Sequence, residues 1–158
     1  MSVFLSKHSK VIDERGRILT PSSFRGSLSK ESFQGFVAFK SNFLPTLDCF
    51  SMSKIEKLSF KYENEDPFSK NWNYNENDMF ADAEMITFDK AGRIKISEEL
   101  LNHCKIEKEL IFAGRGSSFQ IWSPELFADN QNNSRRKIIA RQESKENAEN
   151  GNTDIQQS

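Results

Sequence analysis

Cysteine is almost missing from this sequence, with Cys49 and Cys104 alone in 158 residues. Two isolated thiols have neither the paired spacing of a zinc site nor the number needed for a disulfide framework, so both are expected to be plain buried or half-buried thiols. Histidine is equally scarce. His8 lies in a basic stretch, and His103 falls near the end of an expected helix, where a favourable dipole interaction is the ordinary reading. No nucleophile–base pair, metal-ligand spacing or phosphate-cradling glycine loop stands out, and Gly114-Arg115-Gly116 reads as a hairpin turn rather than a dinucleotide fingerprint. The sequence therefore predicts no catalytic residue, no metal, no cofactor and no small-molecule substrate. Long apolar runs are missing as well. Nothing approaches the roughly 18 consecutive residues of a membrane span, and the N-terminus lacks the apolar core of a signal peptide. A cytoplasmic protein without a membrane partner is expected.

The sequence also lacks an excess of one charge, the net value being −1. That balance hides an asymmetry. Residues 1–30 carry six cations (Lys7, Lys10, Arg15, Arg17, Arg25 and Lys30) against Asp13 and Glu14, a local charge of +4. Residues 61–85 carry seven carboxylates against Lys61 and Lys70, a local charge of −5. Basic charge confined to one segment can serve a nucleic-acid contact that the overall balance conceals. Mean hydropathy of −0.67 with 36% hydrophobic residues fits a compact region with polar loops and a loose tail.

What the chain does contain is a repeat. Asp13-Glu14-Arg15-Gly16-Arg17-Ile18 recurs as Asp89-Lys90-Ala91-Gly92-Arg93-Ile94, an offset of 76. Each copy is entered by an apolar residue, Ile12 or Phe88, and leaves into a short strand followed by a helix start. Later in each half Phe50-Ser51 matches Trp122-Ser123 at an offset of 72, so the first half carries four extra residues, placed most simply in a loop over 41–46. The repeating unit reads as strand, Asp-x-x-Gly-Arg turn, strand, short helix, strand, turn, strand, helix. Pro21 and Pro124 suit a first helical turn, Ser97 suits an N-cap, as does Ser51 or Ser53, and Ser22 to Leu28 reads as a short helix stopped near Gly26. Domain boundaries follow: a first unit over 3–60, an acidic linker over 61–84 with a possible helix over 67–80, a second unit over 85–128, and a polar tail over 129–158 that is too poor in apolar residues to order itself.

The chemistry of the motif follows from its residue types. Asp13 and Asp89 can accept hydrogen bonds from backbone N–H groups two or more positions ahead, closing a tight turn. Gly16 and Gly92 supply the positive φ that such a turn needs. Arg17 and Arg93 then begin the outgoing strand with a projecting guanidinium, a group that pairs bidentately with guanine or grips phosphate. An Asp–Arg pair that merely closes a surface hairpin is the bland reading. The duplicate and the basic flanks of the first copy favour DNA, with Arg17 reading bases and Arg15, Arg25 and Lys10 supplying phosphate contacts. Ala91 stands where Arg15 has its counterpart, so the first turn is expected to dominate over Arg93.

The stretch from Asp13 through Ile18-Leu19-Thr20-Pro21-Ser22-Ser23-Phe24 to Arg25, together with residues 89–96 and 110–122, resembles the paired signatures of the bacterial transcriptional regulator family MraZ. The resemblance spans residues 3–128. It implies a mixed α+β, mainly β, architecture: two pseudo-symmetric AbrB-like swapped-hairpin β-barrel units in one chain, with short flanking helices and a disordered C-terminal tail. It further implies a homo-oligomeric ring that binds short direct repeats of double-stranded DNA in the promoter of the division and cell-wall gene cluster, acting as a nucleoid-associated repressor. The sequence departs from that pattern where Ser6 replaces a usual Gly, Thr20 a usual aliphatic residue and Ser97 a frequent Pro. Leu101-Asn102 also replaces the basic helix segment that Arg25 preserves in the first half. An AbrB-like protein-interaction module, such as an antitoxin, is the alternative reading.

Overall fold

The computed structural model describes residues 2–63, 68 and 80–157, and the helix expected over 67–80 lies outside that range. Among the described residues the first half supplies strands β1 (Lys7–Val11), β2 (Arg17–Leu19), β3 (Gly35–Lys40) and β4 (Leu47–Phe50), with helices α1 (Ser22–Leu28) and α2 (Met52–Glu63). The second half supplies β5 (Glu84–Thr87), β6 (Arg93–Lys95), β7 (Glu109–Gly114) and β8 (Phe119–Trp122), with helices α3 (Glu98–Cys104) and α4 (Pro124–Gln157). Shifting α1 by 76 residues lands on α3 end to end, so the repeat seen in the residues is a repeat of elements.

Local chemistry accounts for most of the boundaries. Ser97 caps α3 by accepting a hydrogen bond from the Leu100 N–H at 3.3 Å, and Glu98 and Glu99 occupy the favourable first turn. Ser51, not Ser53, caps α2, through the Lys54 N–H at 3.3 Å. Pro124 opens α4 as its first residue, whereas Pro21 sits one position before α1 with φ −52° and ψ 135°. α1 spans Ser22–Leu28, the bounds the residues suggest; it runs two residues past Gly26 because Phe24 and Leu28 are buried on one face, which outweighs a single exposed glycine. Ser6 takes φ +71°, which explains a glycine preference at that position.

The eight strands form an antiparallel six-stranded sheet in the order β1-β7-β8-β4-β3-β5 and a two-stranded ribbon, β2-β6. The halves interleave. β1 pairs with β7, β5 with β3, β4 with β8 and β2 with β6, so every one of these ladders joins one half to the other. Exchanging each strand for its repeat partner reads the sheet order backwards unchanged. An approximate two-fold axis therefore runs between β4 and β8, where Asp48 faces Gln120, and between β2 and β6, where Ile18 faces Ile94. The expectation of closed β-barrels is corrected here: β1 and β5 remain edge strands, because β2 and β6 leave the large sheet to pair with each other.

Phenylalanine builds the core. Phe119 is the hub, its ring centroid lying 4.9 Å from Phe4, 5.0 Å from Phe24, 5.0 Å from Phe36 and 6.1 Å from Phe112. Tilted and edge-on aromatic pairs of this kind add about 0.5–1.5 kcal/mol each beyond their area burial. Ile18 and Ile94 of the ribbon belong to the same buried cluster, so the ribbon is anchored from beneath by its central residues. Cys49 and Cys104 are buried in that cluster as free thiols. No helix among the described residues is long and apolar enough to cross a membrane.

The segment expected to be an irregular tail is helical. α4 continues to Gln157, and residues 132–151 are exposed throughout. Composition argued only that this segment has no apolar face to bury. It does not forbid a helix, since Arg, Lys, Gln, Glu and Ala all have high intrinsic helix propensity. Residues 2–124 fall in one compact unit and α4 beyond Pro124 in another.

Candidate nucleic-acid interface

The two motif turns are built alike to within a tenth of an ångström. Asp13 Oδ1 accepts hydrogen bonds from the N–H groups of Arg15 at 2.9 Å and Arg17 at 2.8 Å, while Asp89 Oδ1 accepts from Ala91 at 2.9 Å and Arg93 at 2.8 Å. The Asp13 and Asp89 N–H groups each donate to the carbonyl of the motif Arg at 2.9 Å, and each glycine N–H returns to its Asp carbonyl at 3.0 Å. Gly16 and Gly92 adopt φ +77° and +78°. In each copy the carboxylate thus fastens the turn by its backbone through Oδ1 rather than by pairing with the guanidinium of its own motif.

Arg17 and Arg93 then enter the ribbon. Arg17 faces Lys95 across the pair and Leu19 faces Arg93, with Ile18 and Ile94 buried between them. Strand alternation turns the outer four side chains to solvent. Three of the four are cations. The sequence-based reading placed the two turns on separate hairpins and gave the second no basic support, but cross-pairing puts both arginines on one platform and adds Lys95 opposite Arg17. Lys95 was not singled out from the sequence. Its signal was its position two residues beyond Arg93, on the same strand face.

Electrostatics link the turns further. Arg17 Nη1 lies 3.5 Å from Asp89 Oδ2, an ion pair between the two motif copies with both side chains partly exposed. Such a pair adds little stability and is screened by salt. Both turn carboxyls are held below the usual carboxylate range. For Asp13 the chief cause is the hydrogen bond from the Arg17 N–H, helped by that from Arg15 and by the nearby Arg93 and Arg17 charges, against a loss of solvation. For Asp89 the chief cause is the Arg93 N–H, with Ala91, Arg17 and Arg93 contributing in the same sense.

The remaining candidate residues are distributed unevenly. Arg15 is exposed on the first turn. Arg25, on α1, is half-buried; its Nε donates to the Thr20 carbonyl at 3.2 Å, and its side chain covers Gly92 of the other half so closely that a Cβ there would stand 2.5 Å from Arg25 Cδ. Arg25 therefore clamps the second turn while lying beside it. Lys10 lies on β1 of the large sheet rather than on the ribbon. Of the histidines, His8 packs edge-on against Phe24 at 5.2 Å. No cluster of three or more potential metal ligands occurs among the described residues.

Interleaved halves, a palindromic strand order and two matching Asp-x-x-Gly-Arg turns on a shared ribbon define a duplicated β protein that carries both copies of its motif on one surface. Comparison with known proteins places it more narrowly. The family described as "MraZ protein, putative antitoxin-like" matches residues 79–149. The chain is 35% identical over 135 residues to the transcriptional regulator MraZ of Pelagibacter ubique, across 85% of this chain and 87% of that protein. It is 36% identical over 130 residues to the transcriptional regulator MraZ of Rickettsia bellii, across 82% and 87% of the two chains. With the transcriptional regulator MraZ of Rickettsia rickettsii it shares 36% identity over 127 residues, 80% of this chain and 85% of that one. The chain belongs to the MraZ family.

Proposed function

We propose that this protein is a non-catalytic transcriptional regulator that reads double-stranded DNA with the β2–β6 ribbon. In this reading it acts as a repressor at short direct repeats in the promoter of the division and cell-wall gene cluster, in the cytoplasm and on the nucleoid. The observation that carries it is the joining of both motifs into one exposed two-stranded ribbon that presents Arg17, Arg93 and Lys95. The major groove of DNA admits a two-stranded ribbon, and arginine is its commonest specific reader. Arg17 and Arg93 occupy diagonal positions of the ribbon, about 7–8 Å apart in backbone terms. That is roughly two steps of the 3.4 Å rise of a DNA strand. The regulator names carried by its relatives support the same conclusion.

Arg17 and Arg93 contact bases, Lys95 and Arg15 contact phosphate, and Arg25 supports the second turn with its stem and adds charge beside it. Asp13, Gly16, Asp89 and Gly92 hold the shape of the two turns. Lys10 contributes steering from the large sheet. Each bidentate contact discriminates by only about 1–3 kcal/mol, so one ribbon is a weak reader. A ring of identical chains over repeated sites multiplies such contacts by making the later ones intramolecular. The units over 3–60 and 85–128 then act as one reading head, joined through the acidic 61–84 segment.

The test is binding of DNA from upstream of the protein's own gene by Arg17→Ala and Arg93→Ala, with footprinting at two salt concentrations. Each variant is expected to bind roughly 5- to 150-fold more weakly, the range that 1–3 kcal/mol implies. Protection of spaced short repeats is expected at both salt levels. Wild-type binding by both variants would sink the ribbon model, and a uniform coating that disappears with salt would leave only phosphate attraction. The antitoxin-like reading draws on the description of the matched family, and a small toxin co-purifying with the full chain would favour it.

A further inference from the structure

Helix α4 carries a block of positive charge that the helix itself leaves uncompensated. Arg135, Arg136, Lys137 and Arg141 are all exposed, and no carboxylate occurs between Asp129 and Glu143. Positions three and four residues away are where a helix neutralises its own charges. For these four cations every such position is Asn, Gln, Ser, Ile, Ala, Lys or Arg. Lys137 and Arg141 even stand four apart as a like-charged pair, which weakens an isolated helix. Six helical steps separate Arg135 from Arg141, about 9 Å of axis at the α-helical rise. At 3.6 residues per turn Arg136, Lys137 and Arg141 fall within about 140° of the helix circumference, whereas Arg135 lies on the other side, so three of the four cations can face one phosphate backbone together.

We infer that residues 135–141 of α4 form a second, sequence-independent contact for the phosphate backbone of DNA; this rests on the DNA-binding reading above. The block supplies charge without a shaped site, so it raises affinity and salt sensitivity and leaves sequence choice to the ribbon. A lipid surface fits less well. Ile138 and Ile139 are the only large apolar residues from 128 to 151, and the helix continues into Glu143, Glu146 and Glu149.

The test compares the full-length protein with the quadruple variant Arg135→Gln, Arg136→Gln, Lys137→Gln and Arg141→Gln, in which glutamine preserves helix propensity. Affinity is measured across a salt series for two duplexes, one carrying the DNA upstream of the gene and one of scrambled sequence. Each phosphate neutralised adds about 0.9 to the slope of log K against log salt. The variant is therefore expected to lose roughly two to three units of that slope on both duplexes, with the affinity ratio between them unchanged. A Lys-for-Arg variant at 135, 136 and 141 should keep the wild-type slope, and circular dichroism should show equal helix content in all three proteins. Binding to anionic phosphatidylserine vesicles is measured beside the duplexes; an unchanged slope on DNA overturns the inference, whether or not vesicle binding is lost. The ribbon reading fails separately: wild-type affinity in Arg17→Ala and Arg93→Ala, together with a reduced slope in the quadruple variant, would leave α4 as the DNA contact without the ribbon.

Discussion

Asp13 and Asp89 each accept two backbone N–H groups through one oxygen, and this makes their turns sensitive to acid. Because the folded state holds both carboxyls below the value they have in the unfolded chain, the stability they contribute is fully present above the ordinary carboxylate range. It is lost as pH falls through the lowered folded values. Denaturant midpoints measured from neutrality down into strong acid should therefore fall, and the fall should be shallower in the double variant Asp13→Asn, Asp89→Asn. An equal slope in the two proteins would show that other carboxylates govern the acid limb. At this scale much was legible beforehand. Asp, Gly and Arg at fixed spacing pointed to the turn, and the buried thiols followed from their isolation. The embrace of Gly92 by Arg25 was not legible, since it joins residues from different halves and no local pattern encodes it.

The ribbon is the element on which both motif copies depend, and its two glycines are unequal. A residue other than glycine at positive φ costs roughly 1–2 kcal/mol. Gly16→Ala should cost about that much, because an added Cβ there meets only Lys95 Cε at 3.9 Å. Gly92→Ala should cost somewhat more, because the end of the Arg25 side chain must shift and its Nε then gives up the Thr20 carbonyl. In an Arg25→Ala background the cost of Gly92→Ala should fall to that of Gly16→Ala, a coupling that a double-mutant cycle of unfolding free energies measures. Additive costs would show that Arg25 yields without penalty. Elements themselves were readable from periodicity and caps: strands leaving each turn, the Ser97 cap and the Pro124 start all lie where the residues suggest. Their partners were not. Strand pairing here is non-local, and a period-two pattern states which face is buried without stating against which strand. The continuation of the C-terminal helix beyond 128 was missed for the opposite reason: residues 132–151 are exposed throughout and leave no hydrophobic pattern to report it.

At the scale of the whole molecule, interleaving makes the halves one cooperative core. Cys49 lies on β4 of the first half and Cys104 at the end of α3 in the second, both within a single buried cluster. Burial pushes the Cys49 thiol well up and the Cys104 thiol up to about 12, so neither supplies thiolate at neutral pH while folded. A thiol reagent should modify neither in the native protein, and both should become reactive at the same denaturant concentration. Labelling of one thiol before the other would mean that the halves open separately. The repeat in the sequence foretold a duplicated fold, but the shared core arose from the exchange of strands, which only the structure displays.

The approximate two-fold axis through Ile18 and Ile94 relates surroundings that are not the same. Arg17 has Lys95 as its neighbour across the ribbon, while Arg93 has Leu19; one turn carries Arg15, the other Ala91. Two separate identical chains meeting at such an axis would be obliged to treat both directions along a duplex alike. Fusing the copies into one polypeptide lifts that obligation. The ribbon has a front and a back, so the DNA contact proposed above would be oriented along the duplex and would suit sites that all run the same way.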